Sequence, residues 1–295
     1  MEKRMLGKTG YAVTPVVYGG IVSMRDGQDA SDRYVSWAVD RGINYFDVAP
    51  SYGDAQEKLG NSLLPYRKGV YLACKTQKRT AAGAKQELLQ SMELLHTDYF
   101  DVYQLHALSS RADVEAAFAP GGVMETVEWG RREGIIRRVG ITAHSETAAL
   151  DALSRYDFDT VLFPFNWSLH MAFGNGETLM KTAKARNMGV LAMKAFIERA
   201  WNEPGEREHS RFPKSWCKPI DTEDTAFLFA AMRYALSLGA DTLVPPGNFE
   251  TFSFAVRHID EALARPLSDG ERAFLAQKLE TVKDRLFFTE EDRAK

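Results

Sequence analysis

Apolar positions along the chain follow two alternating rhythms. Runs rich in β-branched and aromatic residues predict strands at 13–18, 43–48, 70–74, 98–105, 139–142, 160–165, 190–193 and 242–244. Between them, apolar residues recur at three- and four-residue spacing, as with Leu88, Met92 and Leu95, which predicts helices. These cover 29–41, 56–64, 81–95, 123–133, 145–153, 177–187, 221–238, 249–264 and 268–285, and a polar tail follows. Gly42, Gly134, Gly189 and Gly239 stand where helices should stop, and Ser145 and Asp221 where two should start. Eight strands alternating with helices imply a parallel sheet, and eight units favour a closed (β/α)8 TIM barrel over an open doubly wound sheet. The whole chain, 1–295, is expected to form one such domain.

One stretch breaks the rhythm. Residues 197–219 hold Trp201, Pro204, Gly205, Pro213, Trp216 and Pro219 among many charges. The expectation is a structureless insert acting as a lid or a loop packed on the barrel rim. Trp201, Trp216, His209 and Cys217 are its candidate pocket-lining residues.

Composition narrows the partners. The chain has 295 residues, 45% hydrophobic and 26% charged, with a formal net charge of −3, so nothing points to nucleic acid or to a membrane surface. No apolar run has the length of a membrane span and the first residues lack an apolar signal segment, so a cytoplasmic protein is expected. The two cysteines, Cys74 and Cys217, are expected to be reduced. No Gly-x-Gly-x-x-Gly turn follows a strand; Gly174-Asn175-Gly176 lacks the third glycine. Phosphate-loop, metal-ligand and nucleophile-elbow spacings are also missing, so no metal site is expected.

Chemistry in such a barrel collects at the C-terminal ends of the strands. Asp47, Tyr52, Lys75 and His106 all fall there, from three consecutive strands and one loop. Each alone has an ordinary reading: a turn-capping Asp, a packed Tyr, a solvated Lys, a satisfied His. Together they form a set. A Lys–Asp pair can hold both charges in a partly dry site. The ammonium lowers the pKa of a nearby phenol, making it a better proton donor. A neutral His orients a carbonyl oxygen without releasing its proton. Proton delivery to a carbonyl needs a hydride from elsewhere, which implies a nicotinamide cofactor.

At these residues the chain resembles the aldo-keto reductase family over nearly its full length. Arg4-Met5-Leu6-Gly7-Lys8-Thr9-Gly10 and Tyr18-Gly19-Gly20 are similar to the family's opening. Asn44-Tyr45-Phe46-Asp47 with Tyr52-Gly53, Lys75 in Leu-Ala-Cys-Lys-Thr, and His106 in Tyr-Gln-Leu-His match its catalytic tetrad. Arg138-Val139-Gly140-Ile141-Thr142-Ala143-His144-Ser145 resembles the branch carrying Gly-Ile-Ser-x-His. The resemblance implies a barrel that interconverts a carbonyl (aldehyde, ketone or sugar) and an alcohol with NADP(H) or NAD(H). Tyr52 would donate the proton, Lys75 lower its pKa, Asp47 hold Lys75, and His106 orient the carbonyl. Gly20, Asp47, Thr142, Met193, Lys194, Gly247 and Asn248 would meet the cofactor; Tyr52, His106, Trp201 and Trp216 the substrate. Lys194 is equally open to a structural reading.

Departures are visible too. Leu162 stands where many members place a Gln on the nicotinamide amide, and Met193 where many stack a Tyr. No base lies in Pro245–Phe252, where many members bind the 2′-phosphate. These departures motivate an alternative of a different class, a cofactor-binding sensor or regulatory protein with little turnover.

Overall fold

The computed structural model describes residues 1–287; the polar tail expected beyond the last helix lies outside the described residues. Eight parallel strands form one sheet in chain order: Tyr18–Gly19, Tyr45–Asp47, Tyr71–Thr76, Phe100–Leu108, Ile136–Ala143, Thr160–Phe163, Gly189–Met193 and Thr242–Val244. Val16 and Val17 bring the first strand back against the eighth. Val17 N–H donates to the Leu243 carbonyl at 2.9 Å, and Leu243 N–H to Pro15 at 2.9 Å. The sheet is thus a TIM barrel, with helices outside it.

The strand expected at 13–18 is divided. Ala12–Val13 pairs antiparallel with Arg4–Met5, and only Tyr18–Gly19 joins the barrel. Pro15 has no N–H to give a ladder, and Thr14 turns inward, its N–H held by Asn44 Oδ1 at 3.0 Å. The resulting hairpin closes the barrel floor: Leu6, Val13 and Val17 pack with Tyr45, Ala73, Val102, Leu162 and Leu191. A second, larger core lies between barrel and helices.

Strand 136–143 carries Gly140 for a steric reason. A Cβ there would lie 2.2 Å from Thr160 Oγ1 and 3.1 Å from Gln104 Cγ. The missing side chain leaves room inside the barrel for Gln104.

Two helices in the loops above the strands, Arg111–Phe118 and Trp167–Phe173, were not predicted. Ser110 and Asn166 cap them through their side chains. The helix expected from 221 begins at Thr225, with Asp224 as its cap. Asp221 instead pairs with Arg211.

The 197–219 segment is not structureless. Ile197–Arg199 pairs antiparallel with Lys218–Pro219, and Pro204–Glu208 is a short helix. Arg199 is buried on Glu206 at 2.5 Å. Phe212, Ser215 and Cys217 are buried. Lys214, also buried, reaches the loop after the first strand, donating to Val22 O at 2.8 Å and to Asp26 at 2.5 Å. Anchors of this kind have no sequence period, so pattern alone could not see them.

Candidate active site

Strand geometry places the reactive groups. Side chains alternate between faces, so residues two apart share one. Tyr45, Ala73 and Val102 belong to the barrel's interior cluster. Asp47, Lys75 and Gln104 follow them by two residues and point into the barrel one layer higher, with His106 a further layer up. The third and fourth strands run to Thr76 and Leu108, so Lys75 and His106 lie within strands rather than just after them. That fixes both on rigid backbone.

Asp47, Tyr52, Lys75 and His106 line one cavity of about 360 Å³ at the barrel mouth. The Lys75 ammonium donates to Asp47 Oδ2, and both side chains are buried. Gln104 Nε2 donates to the other Asp47 oxygen at 2.8 Å. Lys75 also donates to Val48 O at 3.3 Å. The carboxylate therefore has a cation on one oxygen and an amide on the other. Burial works against the Lys75 charge, but Asp47 and Tyr52 outweigh it and raise its pKa, so it is held as ammonium.

The Tyr52 ring lies with its centroid 5.3 Å from Lys75 Nζ and edge-on to His106, centroids 5.9 Å apart. Burial raises the phenol's pKa above its usual value; Lys75, through charge and a hydrogen bond, is the strongest opposing influence, and Asp47 adds to the rise. The expected lowering by Lys75 is present but does not win. The phenol is held protonated, the form a proton donor needs. His106 is pushed down to about 3 by burial, then by Lys75 and Arg79, so its imidazole is neutral. Its Nδ1 has no hydrogen-bond partner among the described residues. Arg79 holds the His106 carbonyl at 2.7 Å while paired with Asp113.

Of the positions expected to meet the cofactor, Asp47, Thr142, Met193, Lys194 and Gly247 line this cavity. Thr142 Oγ1 accepts from Ala107 N–H at 2.7 Å. Gly20 does not line it; its neighbour Gly19 does, while Gly20 packs where a Cβ would meet Val48 at 2.7 Å. Asn248 lies just beyond, capping helix Phe249–Leu263 through Thr251 N–H at 2.8 Å, with its Nδ2 unpartnered among the described residues. Trp216 and Cys217 line the cavity. Trp201 does not; its indole N–H is held by Ser215 O at 3.0 Å inside the insert. His209 is exposed, bonded to Gly205 O. Leu162 shares the wall with Met193 and gives it an apolar patch.

Sequence reasoning missed Gln104, Arg79 and His144. Gln104 was within reach, being two residues before His106 on the same face. His144 sits in the Gly140-Ile141-Thr142-Ala143-His144 segment and lines the cavity, but nothing in its spacing marks it. Arg79 acts through a backbone carbonyl, which leaves no pattern. Among the described residues, no cluster of His, Cys, Asp and Glu could hold a metal, and no helix is long and apolar enough to cross a membrane.

Residues 22–220 match the model of the Aldo/keto reductase family. An uncharacterized oxidoreductase, YqkF of Bacillus subtilis, is 25% identical over 180 residues, 56% of each chain, so this chain spans about half the length of that relative. L-galactose dehydrogenase of Arabidopsis thaliana is 27% identical over 232 residues, 70% of this chain and 69% of the other. In fold, the chain is similar to the holo form of aldo-keto reductase AKR11C1 from Bacillus halodurans, with a TM-score of 0.71 at 21% identity over 99% of both chains. The chain belongs to the aldo/keto reductase family.

Proposed function

We propose that the protein is an NAD(P)(H)-dependent oxidoreductase that interconverts a carbonyl and an alcohol, with Tyr52 as the proton donor. The observation that carries this is the convergence of a protonated phenol, a buried Lys75–Asp47 pair and a neutral His106 on one cavity wall.

The wall fits a nicotinamide. Leu162, Met193 and Val244 offer a flat ring an apolar face, and the Thr142 hydroxyl lies beside them. Beyond Gly247, Asn248 Nδ2, without a hydrogen-bond partner among the described residues, and the N-terminus of a 15-residue helix suit a phosphate. When bound, the nicotinamide supplies the hydride. His106 donates a hydrogen bond to the carbonyl oxygen and orients it, keeping its own proton. Tyr52 passes its proton to that oxygen as negative charge develops there. Lys75 stabilises the phenolate left behind, and Asp47, fixed by Gln104, holds Lys75 in place. The oxidation runs through the same groups in reverse.

Glu250, in the first turn of that helix, is engaged by Arg211, which also faces Asp221 and Glu223. Three carboxylates share one guanidinium, an environment that disfavours a 2′-phosphate, so NADH is the preferred reductant. The carbonyl compound is a small one, in keeping with the cavity's size; the sugar named for the Arabidopsis relative makes sugar-like carbonyls the first to try.

The test is a fluorescence titration with NADH and NADPH, followed by turnover on a panel of aldehydes and sugars. Tight NADH binding with turnover of some member is expected. Failure to bind either nucleotide refutes the proposal. Binding without any turnover would favour a sensor or regulatory protein, a reading for which the apolar Leu162 and Met193 argue.

A further inference from the structure

The fourth strand is irregular at the residue that carries the imidazole. Leu105 pairs with Ile141 and Leu108 with Ala143, so His106 and Ala107 together face the single residue Thr142. Bulges are rare in parallel sheets, and where they occur they re-aim a side chain. Ala107 has a φ of 57°, in the left-handed region that non-glycine residues seldom occupy. Directly beyond it the ladder resumes, with His144 N–H donating to Leu108 O at 3.0 Å. Backbone strained in this way persists only where its surroundings hold it.

Two side chains grip the one peptide group between His106 and Ala107. Thr142 Oγ1 accepts its N–H at 2.7 Å, and Arg79 Nη2 donates to its carbonyl at 2.7 Å. Arg79 is itself held. Its Nε and Nη2 donate to Asp113 at 2.5 and 3.0 Å, and its Nη1 to Thr76 O at 3.3 Å. Asp113 belongs to helix Arg111–Phe118 and also accepts from Ser109 N–H at 3.2 Å. Arg79 thus braces the loop after the third strand against the loop after the fourth, and it does not line the cavity. His106 Nδ1 has no hydrogen-bond partner among the described residues. The ring therefore takes its direction from the backbone that carries it and from the Tyr52 ring, edge-on at 5.9 Å between centroids.

We propose that Arg79, braced by Asp113, is a positioning residue for the reaction: it holds the bulged His106–Ala107 peptide so that the imidazole meets the carbonyl oxygen beside Tyr52. This deepens the reading above and rests on it. The same guanidinium adds its charge to burial and to Lys75 in keeping the imidazole neutral. A reacting group misplaced by about 1 Å can cost about 10²-fold in rate, so a side chain outside the cavity can govern turnover through one peptide.

The test is a cycle of wild type, Arg79→Met, His106→Ala and the double variant, read by turnover of an accepted carbonyl compound. Arg79→Met is expected to lower kcat about 10- to 100-fold, with nicotinamide affinity, measured by fluorescence, within about twofold of the wild type. On top of His106→Ala it should cost less than about twofold, because no ring is left to position. A merely structural defect costs the same in both backgrounds, so equal losses overturn the inference, as does an unchanged kcat. Hydrogen exchange at the Ala107 amide gives a readout free of turnover. With nicotinamide nucleotide present it should quicken about 10-fold in Arg79→Met, while amides elsewhere in the strand keep their rates. Unchanged exchange at Ala107 removes the hold. If no carbonyl compound is turned over but Ala107 exchange still depends on Arg79, the oxidoreductase reading fails and the hold on the peptide stands. Arg79→Lys keeps a cation without the fork; should Arg79→Met fail to fold, Arg79→Lys is expected to give the same pattern at reduced size, and additive losses there overturn the inference.

Discussion

Replacing Lys75 by Met separates the stability of the buried charge pair from its chemistry. The substitution leaves the Asp47 carboxylate buried, with Gln104 as its remaining side-chain partner among the described residues. Removing one member of a buried pair costs about 3–5 kcal/mol, because a charge is left uncompensated in a poorly hydrated site. That is a fall of roughly two to three and a half powers of ten in the folding equilibrium constant. Adding Asp47→Leu removes the stranded charge, and stability should return to within about 1 kcal/mol of the wild type or exceed it. Activity should not return. Without the ammonium, the main influence lowering the Tyr52 pKa is gone, and turnover should stay about 10²- to 10⁴-fold down in both variants. Urea denaturation of the wild type, both single variants and the double variant gives the stability cycle, and loss of reduced nicotinamide absorbance gives turnover. A double variant as unstable as Lys75→Met would show that the cost does not come from the stranded carboxylate. A double variant with wild-type turnover would show that the pair has no chemical role.

Two further predictions follow from burial. His106 and His144 are kept neutral to about 3 and about 2, chiefly by burial and then by nearby cations, whereas unfolded imidazoles take up protons below about 6.5. The unfolded state therefore binds more protons in that window, and stability should fall as pH drops from about 6.5 towards 3, by at most about 1.4 kcal/mol per pH unit for each imidazole; denaturant midpoints across pH should show a shallower slope in His144→Phe, and an unchanged slope contradicts the assignment. Lys214→Met removes the insert's ties to Asp26 and Val22 O and should cost about 1–3 kcal/mol. Limited proteolysis within 197–219 should then quicken, and an unchanged cleavage rate would mean that this tie does not hold the insert down.

The barrel was legible in the sequence because its signal is repetitive. The strand at Thr242–Val244 was placed to the residue, and the paired stop and start signals fixed most helices to within a turn. The divided strand at 13–18 was misread because Pro15 interrupts a run that is apolar throughout. The 197–219 segment was misread for the opposite reason. Its order comes from contacts distant in sequence, such as Lys214 on Asp26, while its Pro and Gly content imitates a loop. Within the candidate site, the residues proposed to carry the chemistry, Asp47, Lys75 and His106, stood out by their type and by their place near the barrel mouth. Those that act by support did not. Gln104 resembles any polar residue in a strand until parity places it against Asp47. Gly20 came from the resemblance of Tyr18-Gly19-Gly20 and Trp201 from its aromatic ring in the insert; packing places Gly20 against Val48 and the Trp201 indole on Ser215 O, both beside the cavity.

The central claim is that the Tyr52 hydroxyl carries the proton, and Tyr52→Phe removes that oxygen alone. Turnover should fall by about 10²- to 10⁴-fold, while nicotinamide binding, measured by fluorescence on the same protein, stays within about twofold of the wild type. Unchanged turnover of every accepted carbonyl, with the nucleotide still bound, would contradict the account.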